Sequence, residues 1–331
     1  MCTVLKATNV NMLDNFFNIG GDSIRAIHIV SELEKMGYEL HVADIMQSNT
    51  IAEIAKAMKL IADKSIYEQG EVTGFVPFSP IMRALLKQSN ELPMDFVHSA
   101  TISVDCDEAT AKKAFDVLVS HHDILRGTFI DGGIEILPSN EKDIYSFKAI
   151  SIDDTDKAID YLNKQSSDKL VNVVFCNTKE ENLMSITIHH FLIDLVSWEV
   201  LVNDFKAVVK QIQNNEEISL PAKTASFKRW SEELQEYTQT ISEEAKEYWE
   251  TINDTLNRTK ALYAQGAVEC DAEKYSFAFD KNFSDKLIND ANVPYGTRTH
   301  EILLTALGRA AGNLVNGTVG IVVESHGRTE L

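Results

Sequence analysis

Cysteine is scarce in this chain, and long apolar runs are absent from it. Its 331 residues include four cysteines, far apart and without a CxxC pair, which argues against a zinc site or a disulfide framework and predicts no bound metal. No stretch reaches the roughly 18 uninterrupted apolar residues of a membrane-spanning helix. The first 26 residues also lack the basic start and apolar run of a secretory signal. We therefore expect a cytoplasmic protein.

Positive charge is also in short supply. Lysine and arginine total 31 against 50 aspartates and glutamates, a formal net charge of −19. A nucleic-acid backbone and an anionic membrane surface both favour basic patches, so neither is an expected partner. The 44% hydrophobic and 24% charged residues are typical of a globular protein, and the length predicts about two domains.

The hydrophobic pattern divides the chain into a small helical region and a larger mixed one. Helical spacing over 23–36 and 51–58, with a short helical turn at 43–46, predicts a small helical bundle in residues 1–62. Residues 63–74 are polar, contain two glycines and are predicted to be a linker. Residues 75–331 alternate helices and strands, which indicates an α/β domain. Its predicted elements are strands at 98–104, 184–188 and 319–323, helices at 108–121, 242–256 and 299–314, and a long helix that begins near Val196.

A glycine-rich turn precedes the first long helix. The string Gly20-Gly21-Asp22-Ser23 places Ser23 at the helix start. A phosphate on its hydroxyl would face free N–H groups and the positive end of the helix dipole. The alternative is that Asp22 or Ser23 serves only as an N-cap.

Two histidines follow the strand predicted over 184–188. Alternation places His190 on the face of Ile188 and His189 on the opposite face, so the two cannot bind one metal ion. His190 could then act as a neutral base near working pH. The alternative is that both are packing histidines with satisfied hydrogen bonds. Asp194 could orient a histidine or cap the helix that follows.

Residues 14–24 read Asp-Asn-Phe-Phe-Asn-Ile-Gly-Gly-Asp-Ser-Ile and resemble the DxFFxLGGDSI motif of peptidyl carrier domains of nonribosomal peptide synthetases. The resemblance implies a covalent 4′-phosphopantetheine on Ser23, attached by a phosphopantetheinyl transferase and holding an aminoacyl or peptidyl thioester. Carriers of this family have a further helix before the motif, for which only residues 1–13 are left. We therefore expect a carrier domain over 1–62 that is clipped at its N-terminus.

Residues 189–198 read His-His-Phe-Leu-Ile-Asp-Leu-Val-Ser-Trp and resemble HHxxxDxxSW, the signature of the condensation superfamily. Members have two chloramphenicol acetyltransferase-like lobes facing each other across a tunnel. The resemblance implies that His190 is catalytic and that the family's usual glycine is replaced by Leu195. It assigns supporting roles to His189, Asp194, Ser197 and Trp198.

The same family resemblance extends through the rest of the second region. Five further segments have counterparts in the expected order, at 78–82, 122–129, 224–230, 247–249 and 301–307. The histidine pair 121–122, at the start of the second of these, is expected to be structural. The fold expected for 75–331 is an N-terminal α/β sandwich lobe of the chloramphenicol acetyltransferase type, incomplete because the second lobe is absent from this chain.

Three finer marks favour an epimerization domain over a condensation domain. They are the GGDSI sequence of the carrier, the Ser-Trp pair after the aspartate, and residues 323–328, Val-Glu-Ser-His-Gly-Arg, which resemble the EGHGRE motif with departures at Ser325 and Thr329. The resemblance assigns proton transfer to His190 and Glu324, in either order, and support to His326 and Arg328.

The expected chemistry is inversion of an α-carbon beside a thioester. A weakly acidic proton is removed from one face and one is returned to the other, for which two facing acid/base groups suffice without metal or pyridoxal. The expected protein is an isomerase segment of antibiotic or other secondary-metabolite biosynthesis, between an upstream adenylation domain and a downstream condensation domain. With one lobe only, the chain by itself is expected to be inactive or nearly so. The alternatives are a peptide-bond-forming condensation domain, an inactive carrier and docking fragment, and a coenzyme A-dependent acyltransferase.

Overall fold

The structure is a computed structural model that describes residues 1–5, 7–48, 50–60, 67–87, 92–164, 169–259, 273, 275–315 and 317–323. The chain forms two compact units, one made chiefly of Met1–Thr238 and the other of Gln239–Arg328. The described residues of the first unit contain three separate hydrophobic clusters, one in the helical region and two in the α/β lobe. No helix in the described ranges is both long and apolar enough to cross a bilayer.

The first 60 residues form the small helical bundle that the sequence predicts. Apolar side chains at helical spacing meet in its core, where Phe16, Ala26, Ile45 and Ile54 are fully buried. The hydroxyl of Thr50 accepts the N–H of Glu53 and so caps the last helix. The helices are α1 (Cys2–Leu5), α2 (Ser23–Lys35), α3 (Val42–Gln47) and α4 (Ile51–Ala57), and a short antiparallel ribbon joins β1 (Tyr38–Glu39) to β2 (Lys59–Leu60).

The α/β lobe is built on a four-stranded sheet. Its strands are, in spatial order, β4 (Val97–Val104), β9 (Asn182–His189), β8 (Val171–Asn177) and β7 (Ser146–Ser151). The pair β7–β8 is parallel and the other two pairs are antiparallel. Two helices, α6 (Glu108–His121) and α8 (Leu195–Gln213), pack against each other and share one core with the sheet.

A second, three-stranded sheet completes the lobe. Its order is β3 (Gly74–Pro77), β6 (Gly133–Ile136) and β5 (Gly127–Ile130), all antiparallel. The remaining helices of the first unit are α5 (Pro80–Leu86), α7 (Thr155–Leu162) and α9 (Phe227–Gln239), which ends at the unit boundary.

A buried cluster of charges fixes the entry into the lobe. Arg126 is fully buried and donates to Asp123 and to the carbonyl of Val72, while the N–H of Val72 donates to Asp123. Val72, within the predicted linker, is therefore bonded to two buried residues of the lobe. In the adjoining histidine pair, Nε2 of His122 lies 2.9 Å from the buried Asp204 of α8, a structural contact of the expected kind.

The second unit contains the helices α10 (Glu243–Thr259), α11 (Lys281–Asp285) and α12 (Thr299–Val315). The predictions of helices over 242–256 and 299–314 are therefore confirmed. The prediction of a strand over 319–323 is wrong, because these residues form no strand in the part of the unit that is described. Its apolar residues favour a strand only where a neighbouring strand supplies hydrogen bonds, and the described residues of this unit contain none.

Candidate active site and carrier turn

The two histidines after the central strand are held by the backbone on both sides. Strand β9 ends at His189, whose N–H donates to the carbonyl of Leu170 at 2.8 Å. The N–H of His190 donates to the carbonyl of Phe96, also at 2.8 Å. Sheet bonding therefore fixes the main chain of both histidines, and their side chains leave it in set directions.

His189 is a packing histidine with both ring nitrogens satisfied. It is fully buried, its Nε2 donates to the carbonyl of Pro93 at 3.0 Å, and its Nδ1 accepts the N–H of Phe191 at 3.1 Å. A carbonyl only accepts, so the proton is on Nε2 and the ring is neutral. Burial lowers the pKa of His189, which keeps it neutral at working pH.

His190 presents the complementary tautomer. Its Nδ1 lies 2.8 Å from the carbonyl oxygen of Ile193, so Nδ1 carries the proton and donates it. In the neutral ring the lone pair is then on Nε2, the nitrogen on the other side. Fixing one nitrogen as a donor leaves the other as the basic atom, the arrangement required of a general base.

Two aromatic rings, one just before strand β4 and one near its start, fix the plane of the His190 imidazole. Phe96 stacks on it at a centroid distance of 4.8 Å and an interplanar angle of 28°. His98 lies against it at 3.8 Å and 39°. The contact follows from sheet register, since His98 is paired with Ile188, two residues before His190.

His98 is a site residue that the sequence analysis did not identify. It lies at the start of the strand predicted over 98–104, and its alternation with Ala100 and Ile102 is the sequence signal that could have identified it. That alternation places a histidine on an apolar face, but only the register of β4 against β9 shows that this face meets His190.

Asp194 starts the long helix that follows the histidines. Its Oδ1 accepts the N–H of Ser197 at 2.7 Å, so it caps α8, one of its two predicted roles. Trp198, one turn in, is buried in the lobe core and anchors the helix. Leu195 is the first helical residue, 63% exposed and without a positive φ, so the turn does not require the family's glycine in this chain.

The carrier turn has a backbone that requires both of its glycines. Gly20 has a φ of +94°. A Cβ on Gly21 would lie 2.5 Å from the carbonyl oxygen and the ring of Phe16, which is fully buried in the carrier core. Larger residues would therefore strain the first position and clash at the second.

The turn delivers the chain into α2 with Ser23 as its first helical residue. The Oδ1 of Asp22 accepts the N–H of Arg25 at 2.8 Å and caps the helix. The first N–H groups of a helix point outward, and the helix dipole is positive there. Backbone and helix therefore suit a phosphodiester on the residue at this position.

The second predicted proton-transfer group lies outside the described residues. This applies to Glu324, His326 and Arg328, and to the departures at Ser325 and Thr329. Within the residues that are described, histidine, cysteine and acidic side chains form no group of three suited to a metal ion.

Comparison with known families matches both regions. Residues 72–330 match the family described as Condensation domain, and residues 1–58 match the one described as Phosphopantetheine attachment site. Among curated relatives, tyrocidine synthase 2 of Brevibacillus parabrevis is 31% identical over 354 residues. Surfactin synthase subunit 2 of Bacillus subtilis (strain 168) is 29% identical over 350 residues. Each alignment covers 99% of this chain and 10% of the relative, so the chain spans about a tenth of their length.

Solved structures show the same fold. The epimerization domain from the third module of tyrocidine synthetase B is 25% identical with a TM-score of 0.55, over 76% of this chain and 60% of that one. The X-domain in the complex with OxyB from teicoplanin biosynthesis is 16% identical with a TM-score of 0.51, over 74% and 59% respectively. The second likeness concerns the fold alone.

Proposed function

The chain belongs to the condensation-domain family and has a phosphopantetheine attachment domain in front of it, and from this premise we propose that it is the carrier–epimerization segment of a nonribosomal peptide synthetase. Its substrate is an aminoacyl or peptidyl thioester held through Ser23. Its reaction converts the L configuration at the α-carbon to D.

The carrier turn supports the assignment of Ser23 as the attachment residue. Phosphopantetheine supplies, when bound, the thiol that holds the acyl group as a thioester. The chain contributes the rest: Gly20 and Gly21 shape the turn, Asp22 caps the helix, and the N-terminal N–H groups of α2 face the position of the phosphate.

The observation that carries the proposal is the tautomer of His190. With Nδ1–H donated to Ile193, the basic Nε2 can accept the α-proton on one face of the substrate. The carboxyl of Glu324, assigned from its motif, would give a proton to the opposite face. One proton leaves the α-carbon and one is returned, so the reaction needs no redox partner, and the roles exchange in the reverse direction.

Inversion is favoured over peptide-bond formation on three grounds. The structural similarity to an epimerization domain comes with 25% identity over three quarters of this chain. The GGDSI turn and the Ser-Trp pair are typical of that branch. A second acid/base group opposite the histidine is needed for inversion and has less use in condensation.

The test is α-hydrogen exchange in D₂O, with the full-length protein expressed from its own gene and loaded at Ser23 with an L-aminoacyl group. Inversion predicts one deuterium at the α-carbon and the D isomer after hydrolysis, with no second substrate. His190→Ala should slow exchange by at least about 100-fold, the usual contribution of a general base. His121→Ala, in the other histidine pair, is the matched control and should exchange at the parental rate. Peptide formed with an acceptor carrier, without deuterium uptake, would instead establish condensation.

A further inference from the structure

One side-chain contact joins the helix that begins at Ser23 to the lobe. Nδ1 of His28, on α2, lies 2.8 Å from Oε1 of Glu199, on α8. The two side chains are 27% and 41% exposed, so water reaches both. The carrier and the lobe have separate hydrophobic cores, which makes this a contact between two domains rather than part of either core.

The contact lies close to the start of both functional helices. His28 is five residues after Ser23, and Glu199 is five residues after the cap residue Asp194. At 1.5 Å per residue, each helix start is about 7.5 Å along its axis from the contact. The same pair of side chains therefore lies near both the attachment position and the loop that holds His190.

The chemistry of the two side chains determines which of them donates the hydrogen bond. A carboxylate only accepts, so Nδ1 of His28 is the donor whether the ring is neutral or protonated. On the other ring edge, Nε2 is 3.9 Å from Glu32 of the same helix. The imidazole thus stands between a carboxylate of its own domain and one of the lobe.

The net charges of the two parts favour a donor at their contact. Residues 1–65 hold six basic and eight acidic groups, and residues 66–331 hold 25 and 42, so both parts are net negative. Two acidic surfaces approach each other only where local attraction offsets the repulsion. His28 supplies a hydrogen-bond donor at that point.

We propose that the His28–Glu199 pair is a docking contact by which the carrier presents Ser23 to the side of the lobe that bears His190. The occupant of this face of α8 is the carrier of the same chain. The inference rests on the proposed function, because it assigns the docked arrangement to substrate delivery.

The test measures docking without measuring catalysis. Amide hydrogen exchange of the whole chain is followed by mass spectrometry in α2 and in the first turns of α8, which are released when the carrier leaves. Breaking a partly exposed pair should speed exchange there by about two- to fivefold. We compare His28→Glu, which sets two carboxylates against each other, with Glu199→Gln, which removes the charge of the acceptor. The double variant His28→Glu/Glu199→Lys restores an ion pair with the charges exchanged.

The proposal expects faster exchange in both single variants and parental exchange in the double variant. The matched control is His41→Glu, another carrier histidine beside a glutamate, at 3.6 Å from Glu39 within its own domain, and it should leave α8 unchanged. Unchanged exchange in β8 and β9 reports that the lobe stays folded. The proposal is overturned if His28→Glu affects α8 no more than the control, or if the double variant stays as fast as the single ones.

These outcomes are separable from those of the function. Faster exchange with no α-deuterium uptake in D₂O would retain the docking contact and reject epimerization. Unchanged amide exchange together with α-deuterium uptake would reject the docking contact and retain epimerization.

Discussion

Replacing Arg126 by methionine should cost the lobe about 3 kcal/mol of unfolding free energy. The guanidinium is fully buried and makes five hydrogen bonds, four to main-chain carbonyls and one to Asp123. Removing one partner of a buried ion pair usually costs 3–5 kcal/mol, because the other charge stays buried. Here Lys223 remains 2.9 Å from Asp123, so the lower end of that range is expected.

Lowering the pH should reveal the effect of Arg126→Met on stability in a second way, through the pKa of Asp123. Burial raises the pKa of Asp123, but hydrogen bonds from Lys223, Arg126 and Val72 outweigh it, so the pKa lies below the usual range. Its contribution to stability is present above the unfolded pKa of about 4 and is lost as pH falls through the folded pKa. In Arg126→Met the folded pKa moves up, so this loss should begin at a higher pH.

Urea unfolding, followed by tryptophan fluorescence, to which the buried Trp198 of the lobe contributes, measures both effects. With an m-value of about 2 kcal/mol/M the midpoint should fall by roughly 1.5 M. Arg229→Met is the matched control, since that arginine is 43% exposed and pairs with Glu233 one turn away, and little change in the midpoint is expected. A loss below about 1 kcal/mol in Arg126→Met would refute the buried-pair reasoning.

Three further outcomes follow from the site and the carrier turn. Gly21→Ala should destabilise the carrier by more than about 1 kcal/mol in thermal unfolding, because the new Cβ clashes with Phe16. Gly70→Ala should cause no such loss, because a Cβ at that position would meet no atom within 4 Å. Equal unfolding midpoints in the two variants would contradict this. His98→Ala should slow α-hydrogen exchange about tenfold, while His98→Phe, which keeps a ring against the His190 imidazole, should stay near the parental rate. Equal loss in both variants would show that packing is not the role of His98. Burial lowers the pKa of His189, so its contribution to stability is present above about pH 6.5 and is lost as pH falls. Urea midpoints at pH 7.5 and 5.5 should therefore differ less in His189→Gln than in the parent. An unchanged difference would refute this.

Local signals predicted the helices well. The prediction of α6 over 108–121 matches the structure residue for residue, and α8 begins one residue before its predicted start near Val196. In both helices the apolar residues repeat at the helical period and an aspartate caps the N-terminus, and these are properties of the segment itself.

Features that depend on distant partners could not be predicted in the same way. The two-residue strands β1 and β2 have too few residues for a periodic signal, and each exists only through pairing with the other. His98 meets His190 through a sheet register that joins segments about 90 residues apart in sequence. Conversely, residues 319–323 have strand composition without a partner strand in the described part of their unit. The periodicity of a segment can be read from its own residues, whereas its strand pairing depends on residues elsewhere in the chain.

The anchoring of Val72 sets the reach of the carrier. Its main chain is bonded to the buried Asp123 and Arg126, so the tether starts at a fixed point on the lobe. From Leu60, the end of the carrier ribbon, to Val72 the chain can extend by at most about 40 Å. A tether of such length confines the carrier at an effective concentration on the order of millimolar. At that concentration a solvent-exposed contact of modest strength would be enough to hold the carrier against the lobe, and weak enough to release it again.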